Sequence, residues 1–111
     1  MRVLIAEDEL LTRMDLRCLL TDAGFDIVGE AKDGLDAVRF AEELRPDLAL
    51  LDVKMPYLDG IAAARMIISK GYSDCIVMLT AYSDQEYIQN ATNAGVYGYL
   101  VKPVNVNSLR P

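Results

Sequence analysis

Short apolar runs recur along this chain, separated by longer stretches in which apolar residues fall three and four positions apart. The runs are Val3-Leu4-Ile5-Ala6, Phe25-Asp26-Ile27-Val28-Gly29, Leu48-Ala49-Leu50-Leu51, Ile76-Val77-Met78-Leu79 and Gly98-Tyr99-Leu100-Val101. Runs of this length and content read as strands, most of them buried on both faces. Between the first two, Leu16, Leu19, Leu20 and Ala23 share one helical face, with Thr12 a turn earlier and Gly24 as a left-handed stop. A second helix is expected from about Leu35 to Leu44, with Ala37, Val38, Ala41 and Leu44 inward, halted by Pro46. Asp59 is placed to cap a third helix that carries Ile61, Ala64, Ile67 and Ile68 and closes at Gly71. Ser83 and Glu86 have the spacing of a capping box for a fourth, in which Ile88, Ala91 and Ala94 face inward and Gly95 terminates.

Strand and helix in strict alternation imply an α/β fold, a parallel sheet covered by helices on both faces. At 111 residues the chain is one domain with room for a single core, and 52% hydrophobic content is ordinary for a globular protein. No apolar run has the length of a membrane span, and no basic-apolar-small leader opens the chain. The formal charge of −6 speaks against this segment gripping nucleic acid, whose phosphates attract basic surfaces. Cys18 falls in a helix pattern and Cys75 in a strand pattern, so both are expected as buried free thiols of a cytoplasmic protein. The chain holds no histidine. That excludes the usual zinc sites, Ser-His-Asp catalysis and service as a phosphohistidine carrier.

The chemistry lies where the apolar runs stop. Glu7-Asp8 follows the first, Asp52 the third, Thr80 the fourth and Lys102-Pro103 the fifth. Parallel strands end at a common edge, so these polar residues should converge. Three carboxylates, a hydroxyl and an ammonium together make a magnesium-assisted phosphoryl-acceptor site. At about 5 Å and an effective dielectric of roughly 20, two ionised carboxylates repel by about 3 kcal/mol. Such a cluster is costly to fold until a cation arrives, and hard oxygen donors suit magnesium or manganese.

This constellation resembles the receiver domain of two-component response regulators, and the resemblance runs over essentially the whole chain. It rests on Glu7-Asp8, Asp52 with Met55-Pro56 and Asp59-Gly60, Thr80-Ala81 and Lys102-Pro103, in that order and each at a strand end. The resemblance implies a doubly wound, flavodoxin-like sheet in the order 2-1-3-4-5. Asp52 becomes the phosphoacceptor. Asp8 and Asp52 are direct metal ligands, the backbone carbonyl of Lys54 is another, and Glu7 reaches the ion through water. Lys102 and Thr80 take the remaining phosphoryl oxygens, and Pro103 is expected to carry a cis bond that aims Lys102 inward. Met55, Pro56, Asp59 and Gly60 are expected to shape the loop without direct chemistry.

Tyr99 stands where receivers often have an aromatic that turns inward when the position of Thr80 is drawn to the phosphoryl group. The plainer alternative is a half-buried strand tyrosine. Lys54 and Tyr82 stand two residues beyond Asp52 and Thr80, where side chains exclude or orient attacking water. A haloacid-dehalogenase-type phosphatase needs a second aspartate where Lys54 stands. The expected partner is a sensor histidine kinase or phosphotransfer protein. The fourth helix and fifth strand, with Tyr87, Gln89, Asn90 and Tyr97, form the expected partner face, including a homodimer contact. A receiver normally continues into a fifth helix, of which residues 104–111 would hold one turn, so a truncated receiver over residues 1–111 is expected, with any output domain beyond. The wording Leu79-Thr80-Ala81-Tyr82-Ser83-Asp84 and the ending Asn107-Ser108-Leu109-Arg110-Pro111 resemble receivers attached to RNA-binding ANTAR outputs. A helix-turn-helix output, or none, stays open as the alternative.

Overall fold

The computed structural model describes residues 1–81 and 95–102. Its elements in chain order are β1 (Arg2–Ala6), α1 (Leu10–Asp22), β2 (Asp26–Ala31), α2 (Gly34–Leu44), β3 (Leu48–Asp52), α3 (Gly60–Ser69), β4 (Ile76–Ala81) and β5 (Gly98–Lys102). The strands form one parallel sheet in the order β2-β1-β3-β4-β5. The chain steps outward from β1 to β2, then crosses back over β1 to β3. That reversal places α1 on one face of the sheet and α2 with α3 on the other.

Strand alternation sorts the core accordingly. Leu4, Ala6, Ala49, Leu51, Ile76 and Met78 pack with Ala37 and Ala41 of α2 and with Ile61, Ala64 and Ile67 of α3. Val3, Ile5, Leu50 and Leu79 pack with Leu16 and Leu20 of α1. Small residues let α2 and α3 lie close to the sheet, whereas leucines fill the α1 side. Each of these helices ends as its sequence dictates. Asp33 and Asp59 accept hydrogen bonds from the backbone N–H groups of Asp36 and Ala62 at 2.8 Å, capping α2 and α3. Gly24 and Gly71 follow α1 and α3 at φ of 96° and 70°, a region glycine enters without a Cβ penalty.

The structure departs from the sequence expectation in three details. β2 begins one residue later than expected and runs two residues further, to Ala31. A register shift between Val3 and Leu4 spends an extra β2 residue, so pairing continues to Ala6 opposite Ala31. Ala23 is exposed instead of inward, because α1 has already ended at Asp22. Cys18 is exposed and Cys75 half-buried, both as free thiols, since Cys18 lies off the face carrying Leu16 and Leu20. The expected fourth helix with Ser83, Glu86, Tyr87, Gln89 and Asn90, together with Tyr82, Pro103 and the start of a fifth helix, lies outside the described residues. Among the described residues no helix is long and apolar enough to cross a membrane.

Candidate metal and phosphoacceptor site

The switch in winding direction between β1 and β3 leaves a crevice at the carboxyl ends of the strands, where ligands bind in open α/β sheets. The alternation that builds the core also aims the side chains at this edge. Glu7 directly follows β1, Asp52 continues the stripe of Leu50, and Lys102 that of Leu100. Thr80 continues the opposite stripe, that of Met78, and Asp8 lies in the bend that follows β1. The groups therefore straddle the end of the sheet instead of crowding one face.

Glu7, Asp8 and Asp52 each offer a carboxylate oxygen, and the three oxygens lie within 4.8 Å of one another. Glu7 and Asp52 are buried, at 1% and 5% exposure, while Asp8 faces solvent. The Lys102 ammonium donates to Asp52 Oδ2 at 3.2 Å and to Glu7 Oε2 at 3.4 Å. Burial, reinforced by a hydrogen bond and the negative charge shared with Asp52, pushes the Glu7 carboxyl up to about 7, despite the opposing Lys102 charge and the Glu9 N–H. Burial disfavours the Lys102 ammonium, yet the charges of Asp52 and Glu7, with their hydrogen bonds, outweigh it and raise its pKa. Three clustered carboxylates against one ammonium form an electron-rich oxygen site that fits a hard divalent cation.

The loop after Asp52 is pinned from beneath. Gly60 donates its N–H to the Val53 carbonyl at 2.8 Å, and a Cβ at Gly60 would overlap the Asp52 carbonyl. Val53 donates to Leu79 at 2.9 Å, tying the loop's start to β4. Met55 is buried and anchors the loop, whereas Lys54 and Pro56 are exposed. Gly34 at the start of α2 sits against the Leu58 carbonyl, in space that any Cβ would occupy.

Thr80 is buried, and its hydroxyl donates to the carbonyl of Ala81 at 3.1 Å, along its own strand and not toward the carboxylates. Tyr99 pairs with Met78, and Val101 with Thr80, so Tyr99 and Thr80 share one face of adjoining strands. Tyr99 is 48% exposed. The structure thus brings Glu7, Asp8, Asp52 and Lys102 together, and sets Thr80 at the same edge with its hydroxyl turned aside.

Sequence reasoning missed Arg13. This arginine is buried on α1 and donates from Nη1 to the backbone carbonyl of Glu7 at 2.8 Å, while its Nε lies 3.4 Å from Glu30 Oε1. Its spacing with Leu16 and Leu20 is that of an inward helical face, and a lone arginine on such a face was the available signal.

Comparison with known proteins agrees with this geometry. The family model described as the response regulator receiver domain matches residues 3–111. The chain is 53% identical over 110 residues to the transcriptional regulatory protein PdtaR of Mycobacterium tuberculosis, covering 99% of this chain and 53% of that one. It therefore spans about half the length of that relative. It is 33% identical to the chemotaxis protein CheY of Listeria monocytogenes, covering 93% of this chain and 87% of CheY. Among solved structures, the receiver domain of sensor histidine kinase PA1611 from Pseudomonas aeruginosa PAO1 superposes with a TM-score of 0.86 at 34% identity, over 97% of this chain and 89% of that one. That receiver carries a magnesium ion coordinated in its active-site cleft. Fold, acidic edge and sequence match converge, and the chain belongs to the receiver-domain family of two-component response regulators.

Proposed function

We propose that this chain is a phosphorylation-controlled switch in which Asp52 accepts a phosphoryl group from the phosphohistidine of a sensor kinase or phosphotransfer protein. The observation that carries the reading is the meeting of the Glu7, Asp8 and Asp52 oxygens within 4.8 Å, with Lys102 Nζ 3.2 Å from Asp52. Asp8 and Asp52 would hold a magnesium or manganese ion directly, with the Lys54 backbone carbonyl, and Glu7 would hold it through water. The bound ion would supply positive charge against the oxygens of the incoming phosphoryl group.

The chain's own residues do the rest. A carboxylate oxygen of Asp52 forms the new bond to phosphorus, the P–N bond to the donor histidine breaks, and the imidazole leaves with the electron pair. Transfer of this kind needs alignment and charge neutralisation more than proton chemistry. Lys102, already held between Asp52 and Glu7, follows the charge onto a phosphoryl oxygen. Thr80 must turn from Ala81 to reach another. Its departure opens room on the face it shares with Tyr99, so the aromatic ring moves inward and alters the surface of the fifth strand. Pro103 directs the chain after Lys102. The domain is a signalling module and not a turnover enzyme, apart from promoting its own phosphorylation and hydrolysis.

The altered surface would serve the output, including a homodimer through the fourth helix and β5. The output is control of transcription or antitermination by a domain beyond residue 111, supported by the ANTAR-like wording around Thr80 and by the similarity to PdtaR, a transcriptional regulatory protein. Free thiols at Cys18 and Cys75 fit a reducing cytoplasm.

The test is incubation with acetyl phosphate and magnesium, followed by intact-mass measurement. One phosphoryl adduct that requires magnesium and vanishes in Asp52→Asn is the expected result. Labelling that persists in Asp52→Asn would assign the acceptor elsewhere.

A further inference from the structure

The backbone of Glu7 is held at both its N–H and its carbonyl. Its N–H donates to the Ala31 carbonyl at the end of β2 at 3.0 Å. Its carbonyl accepts from Arg13 Nη1 at 2.8 Å, in a buried contact. The guanidinium is itself fixed: Nε meets Glu30 Oε1 at 3.4 Å, and the other oxygen of Glu30 accepts from Arg17 Nη1 at 2.6 Å. A chain of contacts thus runs from the surface of α1 through β2 to the peptide that joins the two acidic residues. From the cluster's side, the Glu9 N–H lies 3.2 Å from Glu7 Oε1.

We infer that Arg13 is a positioning residue of the metal site: its fork, oriented by Glu30, sets the plane of the Glu7–Asp8 peptide and so the directions in which both carboxylates project. This deepens the proposed function and rests on its reading of the acidic cluster as a cation site. Both acidic residues flank that peptide, so a rotation about it moves the backbone from which each carboxylate projects. One hydrogen bond here therefore governs two of the three oxygens that must meet. Arginine suits the task because its planar fork addresses the carbonyl and Glu30 at once, which a lysine ammonium does with less directional control.

The sign of the effect separates positioning from plain electrostatics. Arg13 is a cation near an acidic cluster, so charge alone predicts that its removal tightens binding of a divalent ion. Positioning predicts the reverse, and loss of partners that orient metal ligands weakens metal affinity by about 10- to 100-fold.

The experiment measures Mn2+ binding to the 111-residue chain by electron paramagnetic resonance, with circular dichroism and urea unfolding on every variant. Arg13→Met should weaken Mn2+ binding by roughly tenfold or more. Arg13→Lys should recover part of that loss, and Glu30→Ala should reproduce part of it by freeing the guanidinium. Arg39→Met, which removes the same charge from an exposed site on α2, should leave affinity unchanged. Should Arg13→Met fail to fold, Arg13→Lys carries the test alone, because it keeps the charge and is still expected to weaken binding. Folded variants that bind Mn2+ as tightly as wild type, or more tightly, overturn the inference while leaving the metal site intact. A wild-type chain that binds no Mn2+ overturns the site reading and this inference together.

Discussion

Glu7 is the residue whose environment has the most measurable consequence. Its carboxyl titrates at about 7 in the fold against an ordinary value of 4.5, so the folded protein retains a proton that the unfolded chain has released. Stability from this group is complete below pH 4.5 and is lost as pH rises through about 7. Urea unfolding of metal-free wild type and Glu7→Gln, compared between pH 4 and pH 8, should reveal a decline in wild type that the variant lacks. In Asp52→Asn the Glu7 midpoint, followed by carboxyl-carbon NMR, should fall, because a raising charge has gone, yet stay above the ordinary value, because burial persists. The polar residues at this edge were legible from sequence since each closes an apolar run. Arg13 was not, because an arginine within a helix is ordinarily read as solvated. Nor was the direction of the Thr80 hydroxyl, which depends on a rotamer that no spacing encodes.

At the scale of elements, short polar contacts and missing side chains hold the site's loops in place. Asp33→Ala and Asp59→Ala each remove a capping acceptor and should cost about 1 kcal/mol in urea unfolding. Gly60→Ala should cost more, about 3 kcal/mol, because its Cβ has nowhere to go but into the Asp52 carbonyl. The same substitution should also shift the NMR signals of Asp52, since the loop and β3 must part. Helix and strand identities followed directly from apolar spacing and from Asp59, Gly24 and Gly71. Boundaries were harder. The end of β2 depended on a register shift at Val3 and Leu4, a property of pairing between strands that neither strand displays alone. The inward helix face was drawn one residue too wide at Ala23 because the apolar pattern outlasts α1 itself. Gly34 gave no sign of its role, since its neighbour Leu58 is distant in sequence.

The whole molecule gathers these pieces at the place where its winding reverses. A cation bound to the folded state and not to the unfolded chain must stabilise the fold. Magnesium at about 100 times its dissociation constant should add about 2.7 kcal/mol, and a chelator should remove that gain. Thermal or urea melts at graded magnesium, repeated on Asp52→Asn, would measure it, with the smaller response expected in the variant. Strand order itself came from family resemblance and not from periodicity, because alternating strands and helices admit several windings. One pairing carries a last consequence. Lys102 in the last strand described and Glu7 just after the first are 95 positions apart. No fragment from the first half of the chain can assemble this pocket, however well its own hairpins of strand and helix form. A chain emerging from the ribosome cannot close this pocket until β5 has docked, so a complete pocket marks a sheet whose winding is finished.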